Sequence, residues 1–192
     1  GGSYSKVPGN TGSTMTTAGN ITVELGTGAY RGNIYGAGNK GTAGGDVLVS
    51  LTGGSVFGAE REQSGITIGG SAGAAVEGNR TLELKGTFGT GDFQNVTFTR
   101  FDEINIAQEG ASATIYALTD SPALTKTGAG TLALGYAGNT LAHLTVEEGT
   151  LAFTGGATIG VNPNNATIVR VSEGASLALS GGTVNLHAQL NG

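Results

Sequence analysis

Few side chains in this 192-residue chain could do chemistry: two histidines, His143 and His187, fourteen Asp and Glu, nine Lys and Arg, and no cysteine. Nucleophilic catalysis needs a base and an orienting group beside a Ser, Thr or Cys. Both histidines lie in alternating segments, His143 directly before Leu144 and His187 directly after Leu186, so they read as polar residues on the outward face of a strand. No Gly-x-Ser-x-Gly elbow occurs; in TGGSVFG, Gly54 stands beside Ser55 and the elbow spacing is absent. The sequence therefore gives no support to a protease or an esterase.

Carboxylates are the next candidates, because polysaccharide-cleaving enzymes work with acidic clusters. The local pairs are Glu60 with Glu62, Asp102 with Glu103, and Glu147 with Glu148. Adjacent residues of a strand point to opposite faces, so neither of the last two pairs makes a constellation by itself. Glu148 and Glu173 occupy equivalent places in two similar stretches and are expected to stack as solvated turn residues or as a weak cation site. The calcium nonapeptide pattern is missing, since GGDV around Asp46 is isolated. Tyr30, Tyr35, Tyr116 and Tyr136 are candidates for a carbohydrate platform, although packing over the core is the simpler role. Asn20, Asn79, Asn95 and Asn165 open Asn-x-Ser/Thr triplets of the kind that Thr-rich strands generate by chance. No catalytic, cofactor-binding or metal-ligating residue is assigned.

The elements that carry these residues are read from composition and spacing. Glycine contributes 37 residues and proline only 3, while charged residues make up 12%. No Gly-X-Y period exists and the apolar fraction is 38%, so neither collagen nor disorder fits. Glycine instead punctuates short Val/Ile/Leu/Thr runs, the pattern of many tight turns between strands. The net charge is −5 and the basic residues are scattered, which argues against nucleic acid as a partner. No run of about 18 apolar residues is present, so no helix is expected to span a bilayer. Absence of cysteine excludes disulfides and fits a chain that crosses membranes unfolded.

Internal repetition organises the rest. NITVELGTGAYRGNIYGAGNKG from Asn20 and DVLVSLTGGSVFGA from Asp46 share an alternating strand, a glycine turn and a second apolar pair (Ile34 and Tyr35; Val56 and Phe57), at an offset of 26. GITIGG at Gly65 starts a third, shorter copy. VEEGTLAF at Val146 returns as VSEGASLAL at Val171, an offset of 25, with looser copies at Val76 (VEGNRTLEL) and Ile106 (IAQEGASATI). Apolar pairs begin at Leu132, Leu144, Leu151, Ile159, Val169, Leu177 and Val184, and three consecutive steps always add up to an offset between 25 and 27. The fold expected from this is all-β: a parallel β-helix, or β-solenoid, with three short strands per turn of about 25 residues. Residues 1–19 read as a poorly ordered segment or cap and 20–192 as one solenoid. Within it, 20–75 carry the first repeat style, 76–125 a transition and 126–192 the second style. The stretch 93–106 holds Phe93, Phe98 and Phe101, which should fill a wider core where the two styles meet.

The stretch KTGAGTLALGYAGNTLAHLTVEEGTLAF, residues 126–153, resembles the passenger-associated repeat of bacterial autotransporters. Lys126, Gly128, Gly130, Leu132, Leu134, Asn139, Thr140, Val146, Gly149, Thr150 and Leu151 fall on its pattern; LAHL replaces the usual glycine-rich turn after Asn-Thr. The resemblance implies a right-handed parallel β-helix exported to the cell surface or the outside through a C-terminal outer-membrane barrel, here read as removed along with the targeting signals. It also implies adhesion, aggregation or, in some members, proteolysis.

The leading expectation is a non-enzymatic adhesin or structural stalk with no cofactor, meeting a host glycan or matrix protein. A polysaccharide-active lyase or hydrolase is the rival, and would need acids to converge with Arg100 or Arg170. A spacer without a ligand is the third reading. Cut solenoid ends would expose strand edges and invite end-to-end self-association.

Overall fold

The computed structural model describes residues 16–57, 65–121, 123–135, 143–154, 158–159, 168–181 and 183–184. Every regular element among them is a strand, and every ladder between strands is parallel; one isolated antiparallel bridge joins Thr154 to Gly181. The largest sheet has seven strands: Ile21–Leu25, Val47–Thr52, Arg80–Lys85, Glu103–Asn105, Ala123–Thr127, His143–Val146 and Ile168–Val171. They lie side by side in chain order. A parallel neighbour requires a crossover, and here the crossovers are themselves strands of smaller sheets.

Two of those sheets have four strands each. One joins Ile34–Ala37, Ile66–Ser71, Val96–Thr99 and Ala117–Thr119; the other joins Ser112–Ile115, Thr131–Leu134, Thr150–Thr154 and Ser176–Ser180. The first serves the N-terminal half and the second the C-terminal half. Both receive a strand from the stretch between Glu103–Asn105 and Ala123–Thr127, inside the segment where the two repeat styles were expected to meet. Shorter sheets pair Gly28–Tyr30 with Ser55–Phe57, Thr158–Ile159 with Thr183–Val184, and Thr16–Thr17 with Thr42–Ala43 and Ala75–Val76. Val56 and Phe57 therefore lie beside Ala29 and Tyr30, while Ile34 and Tyr35, expected as their counterparts, pair with Ile68 and Gly69 of the next strand over. Thr16 and Thr17, at the end of the stretch 1–19 that reads as a poorly ordered segment or cap, are thus sheet residues. A parallel partner supplies the ladder that their sequence gives no hint of.

Register corrects the constant period. In the seven-stranded sheet Ile21 pairs with Val47, Val47 with Arg80, Thr81 with Glu103, Glu103 with Thr125, Ala123 with His143 and His143 with Ile168. The offsets between these partners are 26, 33, 22, 22, 20 and 25 in turn. Leu132 pairs with Leu151 and not with Ile159, whose partner is Val184. The physical reason is that a return is closed by matching apolar faces, and loops between strands take whatever length is left. The offset of 25 between Val146 and Val171 does hold, while Leu151 meets Leu177 one residue later because the second turn carries an extra residue.

Alternation turns these registers into inward columns. One column runs Val23, Val49, Leu82, Ile104, Lys126, Val146 and Val171. Another runs Ile115, Leu134, Phe153 and Leu179. Most members are fully buried, and one apolar cluster extends from Leu25 to Phe153. Val171 and Leu179, on the last strands of their sheets, stay 43% and 56% exposed. The phenylalanines fill the middle as expected: Phe93, Phe98 and Phe101 are completely buried. Phe93 contacts Phe57, Phe88 and Phe98 with ring centroids 5.7, 5.0 and 5.1 Å away.

Candidate functional site

The turns that lead from the seven-stranded sheet into the second four-stranded sheet stack on one another. They are residues 106–111, 128–130, 147–149 and 172–175. Glu109, Glu147, Glu148 and Glu173 project from three of them, all exposed, and line one cleft with Ala129, Gly149 and Gly174. Glu148 and Glu173, expected to stack, face the cleft from adjacent turns, and Glu109 lines it from two turns away, with 128–130 between. The repeated Glu-Gly of IAQEGA, VEEGT and VSEGA was the sequence signal for that third member. Close stacking depends on glycine. Gly149 has φ +63°, and a Cβ there would overlap the Gly130 carbonyl oxygen. Gly128 has φ +75°, and a Cβ there would overlap the Ile106 carbonyl in the same way.

Beneath these turns lies a residue whose role the sequence left unassigned. Lys126 is completely buried in the inward aliphatic column. Its Nζ donates to the carbonyls of Thr127 (3.0 Å) and Gly128 on its own turn, and to Glu148 O (2.9 Å) on the next. Three ammonium protons thereby meet three acceptors, the condition under which a buried charge is tolerated. Burial lowers its pKa from 10.5 to about 8, and the Glu148 carboxylate pulls in the opposite direction. The available signal was position: Leu124 and Lys126 are both on the inward phase of the alternation.

A second polar ladder runs along the entry to the seven-stranded sheet. The Asp46 N–H donates to Asn20 Oδ1 (2.9 Å), and the Asn79 N–H donates to Asp46 Oδ1 (2.8 Å). Asn79 Nδ2 then donates to Glu103 Oε2 (3.2 Å), and Thr127 Oγ1 to Glu103 Oε1 (2.8 Å). The Asn20 and Asp46 side chains each bind the amide that leads into the next strand, so Asp46, isolated in sequence, is one rung of a structural series. The shared Asn or Asp before ITV, VLV and RTL was its sequence mark.

The remaining candidate acids are engaged. Asp102 accepts Arg80 Nε at 2.7 Å and Nη2 at 2.5 Å, together with the Arg80 amide at 3.0 Å. The side-chain hydrogen bond raises the Arg80 pKa above its ordinary value, against the opposing effect of burial. Arg100 and Asp120, both at positive φ, form a looser ion pair at 3.6 Å. Asp102 and Glu103 thus serve two different neighbours, as opposite faces require. Arg170 lies on Ile168–Val171, a separate strand from both pairs.

Tyr30 stacks on Phe57 at 5.5 Å and donates its hydroxyl to Gly26 O. Tyr35 lies across Gly69 of the adjacent strand, and Tyr116 lies against Gly135. All three rings pack on the chain, the simpler of the two roles. His143 is exposed at the start of its strand. Glu60, Glu62, Tyr136, Asn165 and His187 lie outside the described residues. Among the described residues, no three of His, Asp and Glu are grouped so as to hold a metal ion.

Comparison with known proteins gives no match to a family model, to a curated protein or to a solved structure.

Proposed function

We propose that this chain is a β-solenoid segment of an autotransporter-like passenger, acting at the cell surface or outside the cell as an adhesin or stalk without enzymatic activity. In this reading the successive returns are turns of a right-handed parallel β-helix, whose export would depend on a C-terminal outer-membrane barrel of the same polypeptide. The observation that carries it is the fate of residues 126–153. Their described motif positions supply stacking parts: Lys126 joins two turns, Gly128 and Gly149 admit close approach, and Leu132, Leu134, Val146 and Leu151 fill the inward columns; Asn139 and Thr140 lie outside the described residues.

Outward positions of the second four-stranded sheet support a contact surface over a reaction centre. Ser112, Thr131, Thr150 and Ser176 form one column and Thr114, Ala133, Ala152 and Ala178 the next. These are neutral, short side chains on a regular lattice with strands about 4.8 Å apart. A host glycan or matrix protein is the partner class that such a surface would meet.

The polysaccharide-active rival is favoured by the acidic cleft at Glu109, Glu147, Glu148 and Glu173. It needs a basic partner there: Arg100 is joined to Asp120, which leaves Arg170, on the strand that leads into the turn carrying Glu173, as the residue this rival would use. A glycan array and a panel of immobilised matrix proteins test adhesion directly. Saturable binding to one of them supports the adhesin, and no binding leaves the spacer. Release of reducing or unsaturated sugar from a polysaccharide panel would replace both with the enzyme.

A further inference from the structure

We propose that Lys126 is a register lock: its buried ammonium selects the one alignment of Ala123–Thr127 against His143–Val146 that places the next turn over its own. The need for such a device follows from the inward columns. Around this pair of strands they hold Leu124, Leu144, Val146, Val169 and Ile104, aliphatic residues of similar size. A slip of two residues would keep every one of them facing inward, because the side-chain period of a strand is two. Aliphatic packing alone therefore discriminates weakly between the native alignment and its neighbours.

Lys126 discriminates strongly. Two of its acceptors, Thr127 O and Gly128 O, belong to its own turn and travel with it. The third, Glu148 O at 2.9 Å, belongs to the following turn and is in reach only when Lys126 pairs with Val146. After a slip of two residues that carbonyl moves by roughly 7 Å along the strand. One ammonium proton is then left buried without an acceptor, and the Glu148 carbonyl loses its donor. A single polar group at an otherwise apolar position fixes alignment in coiled coils by the same logic. A charge-assisted hydrogen bond of this kind corresponds to roughly tenfold to hundredfold preference for the native alignment.

Absence of cysteine makes the test direct. Thr125 and Thr145 are register partners on the outward side, and His143 and Glu147 occupy the same side two residues away in each direction. Three double-cysteine variants, T125C/T145C, T125C/H143C and T125C/E147C, are prepared with Lys126 intact and with K126M. Each is refolded from denaturant under mild oxidation and its cross-linked fraction is read by mass spectrometry. With Lys126 present, only T125C/T145C should cross-link efficiently. With K126M, the yield of a slipped pair relative to the native pair should rise at least about tenfold. V146A, which weakens packing and keeps the lysine, should leave the native pair dominant. The lock is overturned if K126M cross-links only the native pair, or if V146A produces as much slippage. Loss of the β-sheet circular dichroism signal in K126M also overturns it, since Lys126 would then be needed for folding in any alignment.

Discussion

Lys126 also makes the folding stability depend on pH in a way that can be worked out beforehand. In the folded chain its pKa is lowered from 10.5 to about 8, chiefly by burial. The unfolded chain therefore holds a proton that the folded chain has released, throughout the window from about pH 8 to 10.5. Stability rises with pH wherever the unfolded state binds more protons. One pKa unit corresponds to about 1.4 kcal/mol, so the gain across the window is about 3 kcal/mol. For a chain of this size that corresponds to roughly 6–12 °C in the melting midpoint. Other groups titrate at alkaline pH, so the quantity to follow is the difference between the native chain and K126M. Urea unfolding of both, followed by circular dichroism from pH 7 to 10.5, isolates it. The vertical offset between the two curves mixes lost hydrogen bonds with relieved desolvation. Their divergence reports the lysine alone, with the native chain gaining on K126M as the pH rises. Parallel curves would refute the reasoning, and would mean that the three carbonyls hold the ammonium as firmly as water does.

Gly149→Ala should destabilise the fold by about 2–4 kcal/mol, from the left-handed backbone and the overlap with Gly130 O together; a neutral urea midpoint would contradict the stacking described. Phe93→Ala, which empties the centre of the ring cluster, should cost about 3–5 kcal/mol by the same measurement, and a loss below about 1 kcal/mol would mean the neighbouring rings close the gap. Val171 and Leu179, exposed at the last strands of their sheets, should support concentration-dependent association. Sedimentation velocity would show this as a rising mean mass, abolished by V171K/L179K, and a monomer at every concentration would disprove it.

Much of the strand content was legible because a strand writes its burial into the sequence at period two. Leu132 and Leu134, Leu144 and Val146, and Leu151 and Phe153 read as three alternating apolar pairs, and all six are buried. The phenylalanine-rich middle was legible for a similar reason, since large rings gather where the interior has room. The placing of Glu148 and Glu173 on adjacent turns could be foreseen from a repeated phrase. The ladder from Asn20 through Asp46 and Asn79 to Glu103 was less visible, because its members are far apart in the chain and only register brings them together.

By itself the sequence determined that strands form, where turns fall and which side chains face inward, because glycine, alternation and burial act over a few neighbouring residues. Only the tertiary structure decided which strand lies beside which, so that Leu132 meets Leu151 while Leu144 meets Val169. It also decided that Lys126, the one charged residue among the fully buried side chains of the described residues, is matched by three carbonyls from two turns. Parallel partners lie as near in sequence as Ser112 and Thr131 and as far apart as Ile34 and Ile68, and loop length carries little energetic penalty. The partner is therefore chosen by how whole faces and polar groups fit, which no local stretch contains.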